Sequence, residues 1–412
     1  MDKAEQRLSQ PILVVAGEAS GEMYAADLVR ALTDRWGYSR SCFFGCGSTH
    51  LQQEGVEILV DNCQLSVLGP FEAISHIGHF LVAFHRLVSE SRRRRTKWAI
   101  LVDFPDFNIP LAKKLKRQGV RVFYFVSPQL WAWRKWRVHQ LRELVDKMIV
   151  ILPFEKEFYA AHGMDVEYFG HPLVDKVKAS STRSQFFEAY RLDKTYLTLS
   201  LLPGSRKREI RFNLPTMLRS ARRLQWDRPA QFLVPVASPT HRDLVQSLML
   251  SEAPDLSINI VENDTYNSIA HSTLAVVSSG TATLEAALLG TPLITVFRIS
   301  VLSWIVGKYL IDVPYYSLVN LIAGEEVIPE LYQEDFTEEK LYVKIHEFLT
   351  NSSQPTRVKM GLAGVRHRLG SGGAITKAAE CIAAFIEHWT SAGLYEGGGG
   401  YPISSVHPGS SD

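Results

Sequence analysis

The sequence predicts an α/β protein made of two Rossmann-like parallel-sheet domains that face each other across a cleft. Three observations lead there. Short β-branched or aromatic runs alternate with amphipathic segments. That alternation occurs twice along the chain. The length, 412 residues, exceeds what one ordinary core organises. Strands that are apolar throughout, separated by helical patterns, belong to sheets covered on both faces.

In the first half the strands are expected at Ile12–Ala16, 42–46, 98–104, 120–126, 147–152 and 166–169. Leu28, Leu32 and Trp36 recur at spacing four between the first two, and Leu111 and Leu115 share one face of a later helix. In the second half strands are expected at 196–202, 231–236, 257–261, Leu274–Ser278 and 292–297. Helices begin near Glu209, Thr240, Thr265, Thr281 and Ser300. The architecture repeats without a repeat of sequence. His171 and Pro172 end the first pattern, so a hinge is expected within 170–178. The domains expected are therefore 11–175 and 176–353. C-terminal helices follow over 354–390, broken at Gly370, Gly372 and Gly373, and pack back on the first domain or a partner subunit. The tail 391–412, with Gly397 to Gly400 and several serines, has the composition of a disordered segment.

Composition narrows the function classes. Hydrophobic residues make up 46% and charged residues 21%, a globular balance. A net charge of +2 excludes a nucleic-acid binder held by bulk charge. Cys42, Cys46, Cys63 and Cys381 form no CxxC pair and have no His at zinc spacing, so no metal site is expected and a reducing compartment fits. The apolar run at Ile12–Ala16 is too short for a signal-peptide core, and no stretch of about 20 apolar residues suggests a span.

Five segments can carry chemistry. Gly17-Glu18-Ala19-Ser20-Gly21-Glu22 follows the first strand and opens a helix. It is not GxGxxG, and two glutamates would repel a phosphate. They suit a neutral sugar hydroxyl, or a role in the fold with Ser20 as cap and Glu22 as first-turn acid. Asp103-Phe104-Pro105-Asp106-Phe107-Asn108 ends a strand, where ligands of open α/β sheets sit. Asp106 and Asn108 can cap the helix expected from Ile109. Asp103 has no such duty, and a carboxylate there can act as general base. The two aspartates are not spaced as DxD, so a metal–diphosphate clamp of that kind is not expected.

Ser127-Pro128-Gln129-Leu130-Trp131-Ala132-Trp133-Arg134 crowds tryptophans with cations, with Lys135, Trp136 and Arg137 following. Such a group can bind carbohydrate, phosphate or an interface, or form a packed loop with arginines laid along it. Pro203-Gly204-Ser205-Arg206 precedes a helix, presents backbone N–H groups and offers a guanidinium to phosphate. Ser278-Ser279-Gly280-Thr281 opens another helix with small, hydroxyl-rich residues that suit a diphosphate. Glu285, one turn further among apolar neighbours, can accept from ribose hydroxyls. No Walker lysine follows either loop, which excludes P-loop ATP hydrolysis.

Taken in order, GEASGE, DFPDFN, VSPQLWAWR, LPFE, FGHPLVD, LLPGSRKREI, SSGTATLE and VNLIAGEEVIPELYQ resemble the motifs of lipid-A-disaccharide synthases, over roughly 12–336. The resemblance implies a GT-B fold and an inverting transfer that needs neither metal nor cofactor. The donor would be UDP-2,3-diacylglucosamine and the acceptor 2,3-diacylglucosamine 1-phosphate (lipid X). Attack of the acceptor 6-hydroxyl on the anomeric carbon would give the β-1′,6-linked disaccharide phosphate and UDP. Asp103 corresponds to the catalytic base. Ser205, Arg206, Ser279, Gly280, Thr281, Glu285, Arg298, Asn320 and Gln333 fall on the donor side. Glu18, Ser20, Glu22, Asp106, Asn108, Trp133 and Arg134 fall on the acceptor side. The family usually writes GEASGD where this chain has Glu22. A peptidoglycan UDP-GlcNAc transferase, a UDP-GlcNAc 2-epimerase and a non-catalytic UDP-sugar binder are the competing readings.

Acylated substrates call for a membrane-facing surface. Residues 67–97 offer Phe71, Ile74 and Phe80 among apolar residues at spacing three or four, then Arg92 to Arg95. That is the pattern of an interfacial helix, or of a helix packed into the first domain's core. Peripheral association with the cytoplasmic face of the inner membrane, and a homodimer, complete the expectation.

Overall fold

Ile12–Ala16, five consecutive buried residues, form β1 of the first sheet. The sheet continues with β2 (Phe43–Gly47), β3 (Glu57–Asp61), β4 (Trp98–Val102), β5 (Arg121–Phe125), β6 (Lys147–Val150) and β7 (Glu167–Tyr168). The computed structural model describes residues 8–62, 65, 73–236, 241–300, 304 and 313–392, with backbone alone at Ala19 and 73–77. Among these, the seven strands run in the order β3-β2-β1-β4-β5-β6-β7. The second sheet takes β8 (Leu197–Leu202), β9 (Ala230–Val236), β10 (Ile258–Glu262), β11 (Leu274–Ser278), β12 (Leu293–Phe297) and β13 (Glu330–Tyr332), ordered β10-β9-β8-β11-β12-β13. The described pairings are parallel, as buried β-branched strands with helical crossovers require. The predicted class, two Rossmann-like parallel-sheet domains, is the observed one.

Each sheet reverses direction once. The order turns between β1 and β4, and again between β8 and β11. Such a switch point opens a crevice outside the carboxyl ends of the two strands, because their following helices leave on opposite faces. Four of the five chemistry-bearing segments follow these strands: Gly17 after β1, Asp103 after β4, Pro203 after β8 and Ser279 after β11.

Two strands were not expected. β3 is half exposed, with only Leu59 and Val60 buried, and β13 is three residues long, so neither shows the continuous apolar run of a central strand. The expected strand 98–104 stops at Val102, because Asp103 and Phe104 take left-handed backbone with φ of 48° and 51°. β2 passes so close to β1 that a Cβ at Gly45 would meet the Val14 carbonyl oxygen at 1.9 Å.

The chain divides into two compact units. The first takes the described residues up to Phe125, then Leu144–Asp146, then those from Ile375 onward. The second takes Val126–Glu143 and Lys147–Ala374. Residues 126–143 and 147–175, expected in the first domain, thus group with the second unit. The expected C-terminal stretch 354–390 is divided as well. Its helix Gln354–Arg368 lies in the second unit and nearly all of the helix Ala374–Ser391 in the first. There Phe385 sets its edge against Phe123 at 5.2 Å and Trp98 at 6.5 Å, and the Arg121 guanidinium lies 3.8 Å over Trp389.

Candidate active site

In the first unit the switch point is built around Asp103. Its backbone N–H donates to Phe125 O at 3.1 Å. Its carbonyl accepts from Tyr124 Oη at 2.6 Å and from Asn108 Nδ2 at 2.8 Å. These three bonds hold a left-handed residue that a free chain would seldom populate. Burial, and secondarily repulsion from Glu18, push the Asp103 carboxyl up to about 7. A carboxylate tuned that way is poised to take a proton near neutral pH.

The neighbours of Asp103 divide into two groups. Asn108 is fully buried and sits inside the helix Pro105–Arg117, so it pins the Asp103 turn instead of capping a helix from Ile109. Asp106 is exposed in that helix's first turn. The helix Ala19–Trp36 has Glu18 at its N-cap and Ser20 within its first turn, so Ser20 is not the cap; both stay partly accessible.

Glu22, expected on the acceptor side, is turned inward and only 2% exposed. Its carboxylate accepts from the N–H groups of Ser48 (2.7 Å), His50 (3.1 Å) and Leu51 (3.3 Å), from Ser48 Oγ (2.8 Å) and from Asn62 Nδ2 (3.0 Å). It satisfies the start of the short helix Thr49–Gln53, where unpaired N–H groups and the dipole favour an anion. Burial alone would raise its pKa, but these bonds outweigh burial and hold it below the ordinary carboxylate value. Its lone pairs are thus spent on the protein.

In the second unit Asn213, fully buried, knots three strand-end loops together. Its Nδ2 donates to Pro203 O at 2.9 Å and Ser278 Oγ at 3.2 Å, and its Oδ1 accepts from Arg298 N at 2.9 Å. Sequence reasoning overlooked it. The available signal was an Asn on the apolar face that Ile210, Leu214 and Met217 mark in the helix Lys207–Asp227. Around this knot Gly280 and Thr281 are exposed at the opening of the helix Thr281–Leu288, and Ser279 donates from Oγ to Tyr316 O at 3.2 Å. Glu285, half-buried one turn on, accepts from Tyr266 Oη at 3.3 Å, and burial raises its pKa.

Five residues expected on the donor side, Ser205, Arg206, Asn320, Arg298 and Gln333, make bonds within the protein. The Ser205 and Arg206 N–H groups point to the Glu209 carboxylate, at 3.0 and 3.3 Å, not to open solvent. The Arg206 guanidinium stays 71% exposed, with its Nη1 3.5 Å from Glu209 Oε1. Asn320 is fully buried and uses both ends of its amide internally, donating to Ile328 O and Glu330 Oε1 and accepting from Val327 N and Ile328 N. It shapes the loop and has no capacity left for a ligand. Arg298 donates to Thr216 Oγ1, Gln333 O and Phe336 O and lies over the Phe336 ring, and burial lowers its pKa. Gln333, itself left-handed with φ 50°, donates to Ile299 O at 3.3 Å.

The tryptophan loop also lies in the second unit. Trp131 meets Phe154 edge-on at 4.9 Å, and the Arg134 guanidinium lies 3.9 Å over Trp133. Trp136 is exposed. Glu155, to which sequence reasoning gave no role, is buried beneath this loop. Its signal was a glutamate three residues into a helix that opens on Pro153.

Of the membrane-facing expectations, Phe71 lies outside the described residues, and Ile74 is placed only as backbone of the helix Ala73–Arg93. Phe80 is half-buried, with its ring 4.9 Å from Phe107 and 5.9 Å from Phe104, so it packs inward. Among the described side chains of this helix, Leu81 and Val82 are the exposed large apolar ones, at 52% and 69%. Among the described residues no helix is long and apolar enough to cross a membrane, and no cluster of three metal-ligating side chains occurs.

The family described as lipid-A-disaccharide synthetase matches residues 12–385. The chain is 40% identical over 380 residues to a lipid-A-disaccharide synthase of Syntrophus aciditrophicus, covering 92% of this chain and 98% of that one. It is 43% identical over 372 residues to one of Myxococcus xanthus, covering 90% and 96%. Among solved structures it resembles a UDP-GlcNAc 2-epimerase from Neisseria meningitidis bound to UDP-GlcNAc, with TM-score 0.61, 10% identity and coverage of 92% and 100%. A glycosyltransferase from Rickettsia africae gives TM-score 0.56 at 14% identity, covering 91% and 98%. At such identities the likeness is one of fold.

Proposed function

The chain belongs to the lipid-A-disaccharide synthase family and is a glycosyltransferase of lipid A biosynthesis, and from that premise we propose how its residues divide the reaction. The donor is UDP-2,3-diacylglucosamine and the acceptor 2,3-diacylglucosamine 1-phosphate. Asp103 accepts the proton of the acceptor 6-hydroxyl as that oxygen forms its bond to the anomeric carbon. The bond from that carbon to the diphosphate breaks, and UDP leaves with its electrons. Arg206 and the helix opening at Gly280 and Thr281 hold the diphosphate, and Glu285 accepts from the ribose. The product is the β-1′,6-linked disaccharide 1-phosphate.

The observation that carries this reading is the Asp103 carboxyl, held beyond β4 by backbone bonds and raised to about 7. The test supplies both lipid substrates and identifies the product by mass. Hydrolysis of the UDP-sugar without disaccharide, or its epimerisation at C2, would overturn the reading. The epimerase fold of the solved neighbours does not favour the second outcome, since at 10% identity it speaks only for the architecture.

Because the substrates of this reading are acylated, we propose that the reaction runs at a membrane surface, the cytoplasmic face of the inner membrane. Leu81 and Val82 on the helix Ala73–Arg93, with exposed Arg86, Arg92 and Arg93 on the same helix, supply apolar and basic contacts of the kind that dock an interfacial helix.

A further inference from the structure

The loop 126–134 begins and ends in strained backbone. Val126, a β-branched residue, has φ 62°, and Arg134 has φ 58°. Left-handed backbone at a β-branched residue persists only where the surroundings hold it. The helix Pro153–Ala161 supplies that hold through two consecutive residues. Phe154 meets the Trp131 ring edge-on. Glu155, 1% exposed, reaches the loop with one carboxylate oxygen and its own helix with the other. Oε1 accepts from Ser127 Oγ at 2.6 Å and Trp131 Nε1 at 3.3 Å. Oε2 accepts from the N–H groups of Leu152 at 2.9 Å and Ile151 at 3.3 Å. The carboxylate therefore bridges a rigid helix start to the loop that carries Trp133 and Arg134.

We propose that Glu155 is a positioning residue of the transfer reaction: through Ser127 and Trp131 it fixes the strained loop that presents Trp133 and Arg134 to the acceptor lipid. The acceptor half of this statement rests on the function proposed above. Burial pushes the Glu155 carboxyl up to about 7, so its charge and its grip on two donors change near neutral pH. The titratable groups that face it are the hydroxyls of Tyr159 on its own helix and Tyr168 on β7, both pushed upward by burial and so neutral throughout that range.

Three variants test the proposal: Glu155→Gln, Ser127→Ala and Trp131→Phe. Initial rates are measured with each substrate varied in turn. A hydrogen bond to a charged group corresponds to a change of about 10- to 150-fold, so the acceptor KM should rise at least about tenfold in Glu155→Gln and Ser127→Ala while the UDP-sugar KM and kcat stay within about threefold. An equal rise for both substrates, or an unchanged acceptor KM, overturns the proposal. Should Glu155→Gln fail to fold, Ser127→Ala and Trp131→Phe decide, because they leave the carboxylate and its helix bonds in place. The Trp131 indole N–H resonance, identified by its loss in Trp131→Phe, gives a readout that needs no turnover. It should move with pH around 7 in the wild type and stay fixed in Glu155→Gln. If the wild type forms no disaccharide, the functional reading fails, whereas an indole signal indifferent to pH and to both other variants sinks the positioning role.

Discussion

The ring of Phe104 fills the space in which a side chain at Gly17 would begin. A Cβ there would lie 2.1 Å from Phe104 Cδ1. Gly17 follows β1 and Phe104 follows Asp103, so the glycine lets the two switch-point loops close on each other. Gly17→Ala should destabilise the protein by about 1–3 kcal/mol, the usual cost of overpacking. It should also reduce transfer by displacing the Asp103 turn. Urea titration and a rate assay check both; an unchanged midpoint would mean that the ring moves aside freely.

Asp103→Asn should lower kcat by about 100-fold or more and leave UDP affinity unchanged in calorimetry. In the wild type the rate should rise with pH through about 7, because the base must be ionised. Glu18→Gln removes a repelling charge and should move that limb to lower pH. Stability follows the opposite sign. A carboxyl raised in the folded state contributes stability that is complete below the unfolded pKa and lost as pH rises through about 7. Asp103→Asn should therefore melt higher than wild type at pH 8, with the gap closing in acid.

Glu22→Ala should act on stability. It leaves the N–H groups of Ser48, His50 and Leu51 without their acceptor, a loss of about 1–3 kcal/mol. Because the folded-state pKa of Glu22 is lowered, its contribution is present above the ordinary carboxylate range and lost as pH falls through the folded value. The variant should thus differ from wild type at pH 7 and converge with it in acid. Denaturation at both pH values reads this directly, and intact stability at pH 7 would show that those N–H groups find other partners.

Arg206→Ala and Glu285→Ala should each weaken UDP binding by about 10- to 150-fold, the range for one hydrogen bond to a charged group. Asn320→Ala should instead lower the melting temperature, since its amide holds Ile328, Glu330 and Val327. Unchanged UDP affinity in both of the first two variants would place the nucleotide elsewhere.

Leu81→Ser with Val82→Ser should release the protein from anionic vesicles while preserving its fold, because both side chains face outward. Sedimentation with vesicles and circular dichroism report the two properties. Undiminished sedimentation would remove this helix from the docking surface.

The sheets were legible because their central strands are apolar throughout, as Ile12–Ala16 and Leu274–Ser278 show. β3 and β13 escaped because edge and very short strands lack that run. The place of Asp103 at a strand's carboxyl end was legible, because the apolar run that precedes it stops there. The inward turn of Glu22 was not, because its donors come from Ser48 and Asn62, which the chain brings near only after folding. Asn320 escaped for a related reason: its motif shows an amide, but only the folded loop shows that both ends are already engaged. Phe80 shared the spacing of an exposed stripe, and only the rings of Phe104 and Phe107 reveal that it points inward.

The helix Ala374–Ser391 covers Trp98 and Phe123 in a unit whose strands were made first. About 250 residues separate Phe125 from Ile375. At ribosomal speeds of about 5–20 residues per second, that aromatic face waits roughly 10–50 s for its cover. During this interval the nascent first unit carries an open apolar surface prone to aggregation, while the second unit is still being synthesised. A chain released before Phe385 would leave Trp98 and Phe123 without this packing, and early termination should yield aggregates, not a smaller working protein.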